Sequence, residues 1–155
     1  GRWLDADHRN MGFSGSAKGE AGFAEYLAGI QNMSLFVMDY DHNAPSPEHL
    51  QETHAPFFHV IREAHPNLPI VILSRPDTDK FPEDSRRRRD IIRQTYLEAV
   101  GAGDRKVWFV DGGTFFGSEG REECTVDGTH PNALGFMRMA QTLYPLLCEI
   151  LGKTP

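Results

Sequence analysis

Three short runs in this chain are apolar at every position: Leu35–Met38, Ile70–Leu73 and Val107–Val110. A strand with one wet face alternates apolar and polar residues, so unbroken runs point to strands covered on both faces. The segments between them carry helical spacing instead. Phe23, Leu27 and Ile30 share one face, Leu50, Phe57, Ile61 and Ala64 another, and Ile91, Ile92, Thr95 and Ala99 a third. A last apolar face joins Phe136, Ala140, Leu143, Leu147 and Ile150, with Pro131 near its start and Gly152 near its end. Ser46 followed by Pro47 reads as a cap and first residue of the second helix. Strand–helix alternation of this kind specifies an α/β fold with a parallel sheet and right-handed crossovers.

At 155 residues the chain has the length of one domain. Its net charge of −6 argues against nucleic acid or an anionic membrane as the main partner. The basic run Arg86–Arg89 is bounded by Asp84 and Asp90 and reads as the solvated face of a helix. No apolar stretch approaches the ~20 residues of a membrane-spanning helix, and no leader is visible. Two cysteines, Cys124 and Cys148, are too few for a disulfide framework and are expected as free thiols. Compartment and oligomeric state stay open at this stage.

In open α/β sheets ligands gather at the carboxyl ends of strands, here Asp39–Asn43, Ser74–Arg75 and Asp111–Gly113. The polar loop from Arg75 to Asp84 borders the same end. The most specific feature is Asp127-Gly128-Thr129-His130-Pro131, directly ahead of the last helix. A carboxylate three residues before an imidazole can fix its tautomer and make it a general base, and such a base serves a nucleophile. Gly12-Phe13-Ser14-Gly15-Ser16 has the glycines of a turn whose amides can meet developing negative charge, although a plain tight turn would look the same. Ser14 is a weak candidate nucleophile, because Ser16 stands where a nucleophile elbow requires glycine. Asn43 can offer an amide N–H to an oxyanion or simply close an Asx-type turn before Pro45. Asp39, Asp41 and His42 could join Asp127 and His130 as metal ligands, with spacing that matches no strong metal motif.

Together these segments resemble the SGNH (GDSL-like) hydrolase superfamily, and more narrowly its bacterial GDSL-like lipase/acylhydrolase branch. The resemblance rests on Asn10–Gly15, on the run Leu35–Met38 leading to Asp41-His42-Asn43, and on Asp127–Asn132 with Gly135-Phe136 after it. It implies a three-layer, flavodoxin-like fold in which a strand ends near Met11. It also implies that His130 is the base, Asp127 its orienter, and Gly15 and Asn43 the two donors of an oxyanion hole. The family's nucleophilic serine belongs to an earlier Gly-Asp-Ser or Gly-Ser-Ser block on the central strand, and no such block occurs in this sequence. The expectation is therefore a single SGNH-type domain over residues 1–155, N-terminally incomplete, lacking its first strand and inactive alone.

The leading functional expectation is a serine esterase or acylhydrolase acting on a small acyl group, acetyl among them, on a small molecule or carbohydrate. No metal or organic cofactor is required by that chemistry. Two other readings stand beside it: a non-catalytic binding domain that keeps the fold without the serine, and a metal-dependent hydrolase built on the Asp and His residues.

Overall fold

The computed structural model describes residues 1–154. Its sheet has three parallel strands, β1 (Phe36–Met38), β2 (Ile70–Leu73) and β3 (Val107–Val110), in the order β1-β2-β3. Phe36 pairs with Ile70, and Ile70 in turn with Val107, so the three apolar runs lie in register. Four helices surround them: α1 (Ala21–Ala28), α2 (Pro47–Ala64), α3 (Pro82–Gly101) and α4 (Ala133–Ile150).

Side chains alternate across a strand, and β2 uses both faces. Ile70 and Ile72 pack with Leu27 of α1, Leu50, Phe58 and Ile61 of α2 and Ile92 of α3. Val71 and Leu73 point the other way, toward Phe115, Phe116, Cys124 and the α4 residues Leu143, Leu147 and Ile150. The result is three layers, with β2 buried at all four positions. Each such side chain contributes about 1.5–3 kcal/mol by leaving water.

β1 and β3 are less covered. Val37 is 38% exposed although its run is apolar throughout, because β1 pairs with β2 on one edge only. The expected strand ending near Met11 is absent: residues 6–13 form no ladder. No described strand lies beside them to pair their backbone groups.

Local signals placed most helix ends. Ser46 Oγ accepts from the His49 N–H at 3.2 Å, with Pro47 as first helical residue. The face of α4 is rotated from the sequence expectation. Met139, Leu143, Leu146, Leu147 and Ile150 pack inward, while Phe136 is 59% exposed and Ala140 also lies outside. The helix is apolar nearly all round, so spacing alone could not choose its stripe. Gly135 decided it: a Cβ there would lie 2.2 Å from the Cys124 carbonyl oxygen, so that side must face the 122–124 turn.

Candidate active site

The loop before α4 is a tight, self-braced hairpin. The Val126 N–H donates to the His130 carbonyl at 2.9 Å, and Thr125 bridges Pro131. Gly128 turns the chain at φ +81°, a conformation that costs a side chain and not glycine. Asn132 then caps α4, its Oδ1 accepting from the Leu134 and Gly135 N–H groups at 2.9 and 3.1 Å. Its Nδ2 donates back to the Glu123 carbonyl at 2.6 Å. His130 is thus fixed between a capped helix and a closed turn.

Asp127 sits inside this turn with both carboxylate oxygens engaged. Oδ1 accepts the Thr129 and His130 backbone N–H groups at 2.9 and 2.8 Å, and Oδ2 meets His130 Nδ1 at 2.7 Å. The backbone N–H of His130, its ring, and the Thr129 N–H hold the carboxyl well below the usual carboxylate range. An ionised carboxylate only accepts, so the proton of that bond belongs to Nδ1, the tautomer that a general base acting through Nε2 requires. The His130 side chain is 75% exposed, which leaves Nε2 accessible.

The second half of the site gathers around Asn43. A 3-10 turn, Asp41–Asn43, follows β1, and Asn43 Nδ2 donates to the carbonyls of Phe13 at 3.3 Å and of Ser16. Those carbonyls belong to the Gly-rich turn, closed by the Ser16 N–H on the Phe13 carbonyl at 3.0 Å, with Gly15 at φ +64°. The structure therefore joins Asn43 to the Gly15 turn, and Asp127 to His130. It does not hydrogen-bond the two halves to each other among the described residues, nor Ser14 to His130. In this conformation the Asn43 amide braces the turn that carries Gly15.

These features meet in the comparisons with known proteins. The family model of the GDSL-like lipase/acylhydrolase family matches residues 1–148. The chain belongs to that family. Among solved structures it is similar to a protein from Bacteroides ovatus ATCC 8483 assigned as a GDSL-like lipase, at 32% identity and TM-score 0.77. The match covers 90% of this chain and 42% of that one. A second similar structure is the salicylyl-acyltransferase SsfX3 of a tetracycline biosynthetic pathway, at 22% identity and TM-score 0.70, covering 86% of this chain and 42% of that one. This GDSL-like chain thus spans less than half the length of either. No curated protein matches it significantly.

This GDSL-like chain also holds a charged cluster that spacing alone did not single out. Arg88, expected on a wet face, is 6% exposed and donates through Nη1 to the Asp41 and Ala44 carbonyls at 2.9 and 3.0 Å. It thereby clamps both ends of the Asn43 turn. Of the other arginines of the run, Arg86 and Arg87 are exposed as expected, and Arg89 is half-buried and paired with Asp90. The spacing Arg88, Ile92, Thr95, Ala99 was the available signal, since it sets Arg88 on the inward stripe of α3. Asp41 is buried too, its Oδ2 accepting the Arg75 N–H at 2.9 Å. Burial raises the Asp41 pKa against the pull of that N–H and of Arg88.

Asp41 and Asp127 are thus committed to protein partners. Among the described residues no three His, Cys, Asp or Glu side chains are grouped to hold a metal ion. Cys124 and Cys148 are free and buried, as expected. Of the aromatic residues near the site, Tyr40, Phe115 and Phe116 are core, while Phe13 is 54% exposed on the Gly-rich turn.

Proposed function

We propose that this chain is part of a serine esterase or acylhydrolase acting on a small acyl ester, acetyl esters of carbohydrates among them. Membership of the GDSL-like family supports a hydrolase of this superfamily. The observation that carries the finer reading is the Asp127–His130 pair, in which the carboxylate engages Nδ1 and leaves Nε2 open to solvent.

In this mechanism Nε2 of His130 takes the proton of a serine hydroxyl as that oxygen attacks the ester carbonyl. Asp127 stabilises the imidazolium so formed. The N–H of Gly15 and the Asn43 amide face the oxyanion of the tetrahedral intermediate, which requires Asn43 Nδ2 to release one turn carbonyl as substrate arrives. His130 then returns its proton to the leaving alcohol, and a second, water-driven cycle frees the acyl group.

The serine is proposed to come from a segment outside these 155 residues, on a strand pairing with the open edge of β1. The unpaired edge and the half-exposed Val37 support that placement. A binding domain without catalysis is the alternative, favoured by the engaged Asn43 amide. A fluorophosphonate probe on the full-length polypeptide separates the two. Labelling of a serine ahead of Gly1, together with hydrolysis of p-nitrophenyl acetate, is the expected result. Failure of both would discard the esterase reading.

A further inference from the structure

The loop Arg75–Lys80 follows β2 and contributes no residue to the proposed chemistry, yet it touches both halves of the site. Its first part grips the Asn43 turn. The Asp77 side chain is fully buried and its Oδ1 meets Nε2 of His42, the residue beside Asn43, at 2.9 Å. Arg75 Nε donates to the same carboxylate at 2.7 Å, and its backbone N–H holds Asp41. Burial alone would raise the Asp77 pKa, but the bonds from Arg75 and His42 bring it down to about 2.

The last residue of the loop grips the other half. Lys80 Nζ donates to the Asp127 carbonyl at 3.0 Å and to Thr129 Oγ1 at 3.2 Å. Between these grips Asp79 and Thr78 accept from Arg121 at 2.9 and 3.1 Å. Three residues of chain, from Asp77 to Lys80, can span at most ~11 Å. The separation of the two halves is therefore limited by this loop. Its base is itself wedged. The Gly112 N–H donates to Ser74 Oγ at 2.9 Å, and a Cβ on Gly112 would lie 2.2 Å from the Arg75 carbonyl oxygen.

We propose that the loop Arg75–Lys80 is a positioning bracket, with Asp77 acting through His42 on Asn43 and Lys80 acting through the Asp127 turn on His130. Buried charge pairs stabilise a fold little more than apolar packing would, whereas they hold side chains to one geometry. Geometry is what a hydrolytic site needs, since a displacement of ~1 Å costs on the order of 10²-fold in rate. The proposal rests on the esterase reading above.

The test is steady-state hydrolysis of p-nitrophenyl acetate by the full-length polypeptide. Asp77→Asn and Lys80→Met are expected to lower kcat on the order of 10-fold to 10²-fold with KM unchanged. Lys80→Arg should recover most of the Lys80→Met loss. The deciding readout is the pair of double variants. If Asp77 works through Asn43, adding Asp77→Asn to Asn43→Ala changes kcat by less than about twofold, and likewise Lys80→Met added to Asp127→Asn. Should Asp77→Asn fail to fold, His42→Ala tests the same link from a side chain already 32% exposed. Additive doubles, or single variants with wild-type kcat, overturn the bracket while the esterase reading stands. A wild type that hydrolyses no ester overturns both.

Discussion

Asp127 holds His130 twice, by its backbone N–H at 2.8 Å and by its ring Nδ1 at 2.7 Å, one carboxylate oxygen for each. The first contact sets where the residue sits and the second sets how the ring points. Replacing Asp127 by Asn leaves the carbonyl side of this arrangement and turns the other oxygen into a donor, which favours the wrong imidazole tautomer. In the full-length protein kcat should fall on the order of 10³–10⁴-fold with an unchanged circular dichroism spectrum. A rate near wild type would remove Asp127 from the mechanism.

The depressed Asp127 pKa makes a second, kinetic prediction. Lowering the pH through the ordinary carboxylate range leaves Asp127 ionised, so it adds no proton of its own to the acid limb of activity. The acid side of a log kcat/KM profile should therefore have a slope of one. A slope of two above pH ~4 would mean that a carboxyl group titrates in the same range and that Asp127 is not held as described.

Asn43 separates bracing from catalysis. Asn43→Asp keeps the shape of the side chain but has no N–H to give, either to the Phe13 and Ser16 carbonyls or to an oxyanion. Both Asn43→Asp and Asn43→Ala should lose on the order of 10²-fold or more in kcat. Wild-type kcat in either would return Asn43 to a purely structural role.

Gly112 is a packing requirement rather than a turn requirement. Its Cβ would enter the backbone of Ser74 and Arg75, so Gly112→Ala must push the loop after β2 outward. We expect a stability loss of about 1–3 kcal/mol in urea unfolding, as for other overpacked sites. An unchanged unfolding midpoint would show that the loop moves freely.

His54 makes folding sensitive to acid. It is 2% exposed between α2 and α3, with Nδ1 2.8 Å from Thr95 Oγ1, and burial pushes its pKa down to about 3. In the unfolded chain the ring titrates near its ordinary ~6.5. Between those values the unfolded state binds the extra proton, so stability drops as pH falls from about 6.5 toward 3, by roughly 1 kcal/mol per unit. His54→Gln should flatten this slope between pH 6.5 and 4.5. Equal slopes in both proteins would show that other groups set the acid sensitivity.

Much of this protein was legible along the chain because the deciding interactions are local. The three strands wrote themselves as unbroken apolar runs at Leu35–Met38, Ile70–Leu73 and Val107–Val110. Ser46 and Pro47 marked a helix start, and a carboxylate three residues before a histidine closed its own turn. Spacing along the chain settles such contacts.

What the sequence left open depends on which distant groups share one buried space. Arg88 looks like its neighbours Arg86 and Arg87, and only its position on the inward stripe of α3 makes it the clamp on the Asn43 turn. Nothing local pairs His42 with Asp77, or Lys80 with Thr129. The stripe expected on α4 kept Leu143, Leu147 and Ile150 but lost Phe136 and Ala140 where Gly135 met the Cys124 carbonyl, and the segment near Met11 remained coil where a strand was expected. A strand is completed by its neighbour's backbone and a buried charge by a counter-ion remote in the chain, so tertiary structure alone decided these points.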